Sequence, residues 1–185
     1  MSLLWVILGL LCVGIVLVLI AFVAFVAYAN ISERRGIAHV MEHGSPTVGW
    51  IVQANDNLFQ DGSMPSYPAL VLVSPDKQTA RDEEFMTELA ERIRDLKGEE
   101  CEDEEEQLVS RWVTDERYRE GKRDRLPESF TQGREVYLAH IIIRRDHLPE
   151  GKLTQPCVHC QLIWDEPGTL VVSIPERSKS NRKRD

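Results

Sequence analysis

Apolar residues form one uninterrupted run near the N-terminus and recur at short, regular intervals through the rest of the chain. No charged residue occurs from Leu3 to Ala29. As a helix this run is about 40 Å long, which exceeds the roughly 30 Å hydrocarbon core of a bilayer. Trp5 and Tyr28 lie near its two ends, where aromatic side chains with a polar tip prefer the membrane interface. The pattern predicts one transmembrane helix within residues 1–29.

Two other interpretations of the apolar run stay open. Ala27-Tyr28-Ala29 has the small-x-small form of a signal-peptide cleavage site. Against cleavage, no Lys or Arg precedes Arg34, and the run is about twice as long as the apolar core of a signal peptide. The second interpretation, a helix buried in the core of a soluble protein, usually requires a shorter apolar stretch.

The charges that flank the run predict its orientation. Basic residues gather on the cytoplasmic side of a membrane span. None precedes the run, whereas Arg34 and Arg35 follow it closely. The three cysteines beyond the span lack the spacing of a disulfide framework, which agrees with a reducing compartment. We expect a single-pass protein of the cell membrane, with its N-terminus outside and its C-terminal domain in the cytoplasm.

After a juxtamembrane connector at residues 30–46, residues 47–175 have the periodicities of one soluble α+β domain. Runs rich in β-branched and aromatic residues predict about five strands, at 47–55, 69–74, 134–145, 157–164 and 169–175. The second and third runs are apolar on both faces, which is typical of strands in the interior of a sheet. The last two flank the turn Asp165–Gly168 and predict a hairpin.

Two amphipathic helices are predicted between the second and third strands. The first carries an apolar stripe formed by Phe85, Leu89, Ile93 and Leu96. Ser74-Pro75 and Gly98 are favourable start and stop residues for this helix. Residues 107–118 repeat the pattern over a shorter length. We expect the stripe to pack on the domain core; the alternative is a helix that docks on a membrane or a partner.

The formal net charge of −8 is a local feature of the chain. Residues 82–106 hold thirteen Asp or Glu against three Lys or Arg, so that the remaining positions carry a small positive excess. Residues 99–106 predict a solvated acidic linker that also supplies the first turn of the second helix. Without the turn pattern of an EF-hand, these carboxylates are a weak signal for Ca²⁺ or Mg²⁺. A basic face interleaved with aromatic residues is lacking, and we expect no nucleic-acid partner.

Two basic segments follow the acidic one. Residues 117–133 predict a polar surface loop, with five basic residues before Pro127 that contact the acidic stretch of the same chain or a phosphate group. Residues 176–185 carry five basic residues and no apolar one, which predicts a disordered tail. Such a tail contacts an anionic leaflet, folds back on residues 99–106, or serves as a solubilising terminus.

Cys157-Val158-His159-Cys160 is the one segment whose pattern suggests a metal or a reaction. Two thiolates at this spacing chelate zinc, and His159 adds a third ligand, so Cys157, Cys160 and His159 are the candidate zinc site. A structural site usually needs four ligands. The residues that would have to converge on the motif are Cys101, His140 and His147.

The cysteine motif has two further interpretations, reduced structural cysteines and a thiol-redox centre. A redox centre would place the motif at a helix N-terminus, where the dipole lowers the thiol pKa, whereas here the motif leads into a strand. Gln161 stands where haem attachment requires histidine. All three interpretations stay open.

The other histidines have structural explanations. His39 and His43 are four residues apart and share one helix face, but the connector supplies no third metal ligand. His140 lies in a strand that is apolar on both faces. A lone histidine there is more often hydrogen-bonded and structural than catalytic.

No residue pattern in this chain predicts catalysis. A glycine-rich phosphate loop, a G-x-S-x-G elbow and an H-E-x-x-H helix are all lacking, and we assign no catalytic residue and no cofactor apart from the zinc alternative. We expect a non-catalytic interaction module or accessory subunit, held in the bilayer by residues 3–29 and bound to another protein at the membrane surface. The alternative is a zinc-binding or thiol-redox protein centred on Cys157 and Cys160.

Overall fold

The N-terminal apolar run forms one helix, α1, from Leu3 to His43. The computed structural model describes residues 3–54, 66–97, 101–114, 123–148, 153 and 155–176. Within these ranges α1 is the one helix long and apolar enough to cross a membrane, a test of length and composition that a signal sequence also passes. It continues beyond Ala29 into the predicted connector, runs through Gly36 and ends at His43, directly before Gly44.

The chain divides into two compact units, Met1–Ala38 and His39–Asp185. The strands of the second unit are β1 (Ser45–Ala54), β2 (Ser66–Val73), β3 (Arg123–Arg125), β4 (Tyr137–Arg144), β5 (Cys157–Leu162) and β6 (Val171–Ser173). Its helices after α1 are α2 (Glu83–Asp95), α3 (Glu104–Thr114) and the short α4 (Glu128–Thr131). All five predicted strands are present, and the mixed α+β class is confirmed.

Five of these strands pair in a closed ring, in the order β1, β2, β4, β6, β5 and back to β1. Neighbours are antiparallel except for β4 and β6, which run parallel. β2 pairs with one edge of β4 along its whole length, and β3 and β6 share the other edge. The predicted hairpin of β5 and β6 is confirmed, and Gly168 in its turn has a φ of 82°, a region that favours glycine.

Side chains alternate across the strands and build two hydrophobic cores. The inner core is enclosed by the ring and contains Ala69, Val71, Val73, Ala139, Ile141, Ile143, Val158, Cys160, Leu162 and Val171. The outer core lies between the ring and the helices and includes Trp50, Val52, Leu70, Leu72, Phe85, Met86, Leu89, Ile93, Val109, Trp112 and Leu138. Burial of each large aliphatic side chain contributes about 1.5–3 kcal/mol. β2 and β4 contribute to both cores, as their two apolar faces predicted.

α2 begins later than predicted. The sequence favoured a start at Ser74, but the helix starts at Glu83 with Asp82 as its N-cap, whose carboxylate accepts a hydrogen bond from the Phe85 amide at 3.3 Å. The intervening residues form a loop and a short 3₁₀ helix, Thr79–Arg81, and the Asp76 side chain bonds to the start of that helix. Such local bonds to the backbone compete with helix formation. The apolar stripe of α2 is buried, which confirms that it packs on the core.

The acidic segment supplies the start of α3, as predicted. The Asp103 carboxylate accepts hydrogen bonds from the amides of Glu105 at 2.7 Å and Glu106 at 3.4 Å. Three glutamates occupy the first turn, where the helix dipole favours negative charge. The predicted stop at Gly98, the first residues of the acidic linker and the basic tail after Glu176 lie outside the described residues.

Part of the predicted surface loop at 117–133 is regular structure. β3 and α4 both lie within it, and Leu126 and Phe130 are buried. Gln132 ends α4 in a left-handed conformation, with a φ of 52°. β3 has no hydrophobic alternation, because its three residues are all charged. It depends on pairing with β4, which local sequence does not reveal.

Leu89→Ala should destabilise the domain by about 2–5 kcal/mol, because Leu89 is 3% exposed within the outer core. The matched control is Leu108→Ala, whose side chain on α3 is 41% exposed and should change stability by roughly half a kcal/mol or less. Urea denaturation of residues 36–185 measures both values. Equal effects of the two substitutions would contradict the packing of α2.

Candidate functional site

β5 carries the Cys-x-x-Cys motif in extended conformation, so that its two thiols face opposite sides of the sheet. Cys160 is completely buried in the inner core, with its Sγ 3.8 Å from the Thr47 carbonyl oxygen. Cys157 is half-buried and packs against the outer core. Successive side chains of a strand alternate between faces, and residues three apart therefore diverge. The strand keeps the two thiols apart.

Burial holds both thiols in the neutral form. Enclosure in the inner core raises the pKa of the Cys160 thiol far above its ordinary value, and the neighbouring Cys157 adds to the effect. Burial also raises the pKa of Cys157, and the carboxylates of Glu83 and Glu176 add to that shift. The thiolate is the nucleophile and the metal ligand. Neither cysteine is therefore activated for thiol chemistry near neutral pH.

Of the other predicted ligands, His147 lines a small cavity together with Cys157 and His159, whereas His140 and Cys101 do not line it. His159 is exposed on β5, His140 is half-buried on β4, and Cys101 packs against the outer core. In the described parts of the chain no three His, Cys, Asp or Glu side chains are gathered to hold a metal ion. The zinc alternative for Cys157, His159 and Cys160 gains no support from the geometry and stays a prediction.

A small cavity of about 30 Å³ lies beside Cys157. Its lining includes His147, Leu148, Leu153 and Ile174. A cavity of this size has room for one or two water molecules. Pockets that bind metabolite-sized ligands have volumes of roughly 300–1,000 Å³. As it stands, the cavity does not fit a substrate of that size.

Ser173, His147 and Asp146 resemble a hydrolase triad in composition but not in geometry. His147 Nδ1 lies 2.8 Å from the Ser173 carbonyl oxygen and 3.1 Å from its hydroxyl, and Nε2 is 3.9 Å from Asp146 Oδ1. Because a carbonyl only accepts, Nδ1 is the protonated nitrogen and cannot remove the serine proton. The hydroxyl itself is buried and accepts a hydrogen bond from the Arg144 amide at 2.8 Å. The histidine therefore ties the segment after β4 to β6.

Arg123, in the predicted basic loop, is used inside the domain. Its guanidinium donates to the carbonyl oxygens of Ile163, at 2.9 Å, and Trp164. It also lies 5.5 Å from the ring centroid of Tyr137 and 5.3 Å from that of Trp164, within cation–π range. These contacts link β3 to the end of β5. They go to backbone and aromatic groups rather than to the acidic stretch.

A polar network stabilises the N-terminal end of α2 and the loop before it. The Asp76 carboxylate accepts from the Thr79 hydroxyl at 2.7 Å and the Thr79 amide at 2.9 Å, and these bonds lower its pKa. Arg134 donates to Asp82 at 2.6 Å and lies 4.0 Å from the ring centroid of Phe85. The hydrogen bond from Arg134, supported by the Phe85 amide, lowers the pKa of Asp82. Both carboxylates are thus kept ionised for a structural purpose.

Sequence reasoning did not anticipate the roles of His147, Arg123 and Arg134. His147 entered only as a residue that would have to converge on the cysteine motif, Arg123 as a charge of the predicted loop, and Arg134 as the first residue of the third predicted strand. Each makes its bonds to residues distant in the chain, the nearest separation being 26 positions for His147 and Ser173. The spacing of residues along the sequence does not predict contacts between partners so far apart.

Comparison with protein-family models gives no match, and neither curated proteins nor solved structures show significant similarity to the chain. Functional inference therefore depends on the chemistry of the described residues.

Asp82→Asn should destabilise the domain at pH 7 and lose this effect in acid. Because its pKa is lowered in the folded state, ionised Asp82 adds stability above the unfolded pKa of about 4, and this stability is lost as the pH falls through the lower folded value. Asparagine keeps an acceptor for the Phe85 amide but carries no charge for Arg134. Urea midpoints from pH 7 down to the lowest pH at which the domain folds measure the difference.

The control for this prediction is Glu84→Gln, at an exposed carboxylate in the same helical turn. It should change the pH dependence much less than Asp82→Asn. A destabilisation by Asp82→Asn that is constant over the whole pH range would contradict the role of the ion pair.

Proposed function

We propose that this chain is a single-pass membrane protein whose C-terminal domain lies in the cytoplasm and acts without catalysis, as an interaction module or accessory subunit of a membrane assembly. The exposure of α1 carries the proposal. Its large apolar side chains from Val13 to Tyr28 are 40% to 73% exposed. Apolar surface of this extent is unfavourable in water and requires lipid or a partner. The apolar run of this helix is long and apolar enough to cross a bilayer.

The flanking charges support the proposed orientation. Arg34 and Arg35 follow the apolar run, and no basic residue precedes it. A cytoplasmic side for these residues agrees with the general distribution of Lys and Arg around membrane spans. The basic residues after Glu176 would then face the anionic cytoplasmic leaflet, each contributing about 1 kcal/mol when close to it.

The chemistry of the described domain supports a role without catalysis. Side chains of the types that enzymes use are bonded to the backbone of their own domain, as Ser173, His147 and Asp76 illustrate. The cysteine motif has neutral thiols that diverge, so the zinc or redox alternative is the less favoured one. A binding role with another protein at the membrane surface requires none of these groups to react.

A reporter fused after Asp185 should be active only if that reporter works in the cytoplasm. The matched fusion carries a reporter that works only after export, and it should be inactive. Exchanging Arg34 and Arg35 for glutamate should weaken the preference, because the charge asymmetry is removed. Activity of the exported reporter would overturn the orientation, and a mature chain beginning at Asn30 would identify the apolar run as a cleaved signal sequence.

The full chain, extracted from its native membrane in mild detergent, should migrate on a native gel within a complex larger than the chain itself. The control replaces residues 1–29 with an unrelated helix of the same orientation. If the domain makes the contact, the complex survives this exchange; if the complex is lost, the anchor makes it. Migration of the chain by itself in both forms would contradict the role of accessory subunit.

A further inference from the structure

Four carboxylates form a stripe along the outer face of α2. They recur at spacings of 4, 3 and 4 residues and all are exposed; we call them the acidic stripe: Glu84, Glu88, Glu91 and Asp95. Residues three or four apart share one side of a helix. With 3.6 residues per turn, this side lies opposite the one that buries Phe85, Leu89 and Ile93. The acidic stripe is therefore a continuous row of negative charge on the surface of the helix layer.

The basic residues of α2 are used for other contacts. The Arg92 guanidinium donates to the Ser129 carbonyl oxygen at 3.3 Å and lies 4.2 Å from the ring centroid of Phe130. Arg94 donates to the Val52 carbonyl oxygen at 3.1 Å. Among the described residues, no Lys, Arg or His forms an ion pair with the acidic stripe. This helix face is thus without a partner in the described part of the chain.

The acidic stripe is electrostatically unfavourable by itself. Like charges three or four residues apart on a helix repel each other. Glu84 lies in the first turn, where the helix dipole favours a negative charge, but Asp95 lies at the opposite end, where the dipole disfavours it. Positive charge placed along the stripe would offset both effects.

The described part of the chain ends near the start of α2. Its last residue, Glu176, lines the same cavity as Cys157. Cys157 is paired in register with Trp50, whose indole N–H donates to the Ala80 carbonyl oxygen at 2.9 Å, shortly before α2 begins. Burial raises the pKa of the Cys157 thiol, and the carboxylates of Glu83 and Glu176 both add to this shift. The chain therefore leaves the described structure close to the N-terminal end of α2.

The basic tail that follows Glu176 complements the acidic stripe in charge and in reach. It carries one acidic residue, Asp185, and five basic ones: Arg177, Lys179, Arg182, Lys183 and Arg184. Residues 177–185 span at most about 30 Å when extended. The 13 residues of α2 are about 20 Å long. From its point of attachment, the tail is long enough to follow the whole stripe.

We propose that the basic tail, residues 177–185, docks on the acidic stripe of α2 in the same chain. Each exposed ion pair is weak by itself. Because the tail is covalently attached near the stripe, however, its effective concentration there is of the order of millimolar. A basic segment of another protein has to compete with this concentration to reach α2. In the proposed orientation the anionic leaflet attracts the same basic side chains, so that the tail is shared between the lipid and α2.

The test is carbodiimide cross-linking of the full chain in neutral detergent micelles, which joins a lysine amine to a carboxylate in direct contact. Lys179 and Lys183 should be coupled to the acidic stripe, as mapped by mass spectrometry of the monomeric chain. The yield should fall as salt is raised from about 0.01 M to about 1 M, because the Debye length falls from roughly 30 Å to 3 Å. The measurement requires neither a partner protein nor a particular orientation in a membrane, so it is independent of the proposed function.

A variant tail tests whether charge attraction makes the contact. The triple change Arg177→Gln, Arg182→Gln and Arg184→Gln leaves both lysines for the reaction. It should lower the yield about threefold or more, because three exposed ion pairs are lost. The control is Arg111→Gln, at an exposed arginine of α3 outside the tail, and it should leave the yield unchanged.

Three results would overturn the proposal. Cross-links from the two lysines to residues 99–106 in place of the acidic stripe would assign the tail to the acidic linker. Equal yields from the triple variant and the unaltered chain would show that charge does not hold the tail on α2. Absence of any cross-link to α2 would exclude the docking itself, and contact of the tail with added vesicles of anionic lipid would then assign it to the leaflet.

Discussion

β4 is the strand on which the rest of the domain depends, because it is hydrogen-bonded along both edges and apolar on both faces. β2 pairs with one edge, and β6 and β3 share the other. Ile141 and Ile143 point into the inner core, and Leu138 points into the outer core. A charge in place of Leu138, Ile141 or Ile143 would be buried without a partner, at a cost that a single domain rarely tolerates. The ring closes through this strand, because it is the neighbour of both β2 and β6.

The strand conformation and the closed ring also determine where the two thiols of the Cys-x-x-Cys motif lie. In a strand, residues three apart face opposite sides, whereas at a helix N-terminus or in a tight turn the same spacing lets two thiols converge. Because the motif was predicted to lead into a strand, the sequence also predicts that its two thiols diverge. The sequence does not predict which thiol is enclosed, since an inner and an outer face exist only once the ring has closed. Cys160 is then inside, and its thiol stays neutral.

The elements predicted from sequence are those that depend on spacing between neighbours in the chain. The five strand runs and the apolar stripe of α2 belong to this class. The start of α2 does not, because Ser74 and Asp82 are both good caps. The choice between them depends on the Asp76 loop and on Arg134, which lies 52 positions from Asp82. The contact of His39 with Glu166 is non-local in the same sense, and the periodicity of apolar residues does not predict it.

The bonds made by the polar side chains of the domain distinguish the residues that stabilise the fold from the residues that are able to contact a partner. His147 and Arg123 each bind backbone carbonyl oxygens that would otherwise need another partner, and a buried group left unpaired costs about 1–3 kcal/mol. Using either side chain in a reaction would therefore loosen the segment that it holds. The contact between His39 and Glu166 does not hold a buried segment in place, because both side chains are about half exposed and meet at the surface. Within the described residues, exposed contacts of this kind are the ones that can be exchanged without loosening the fold.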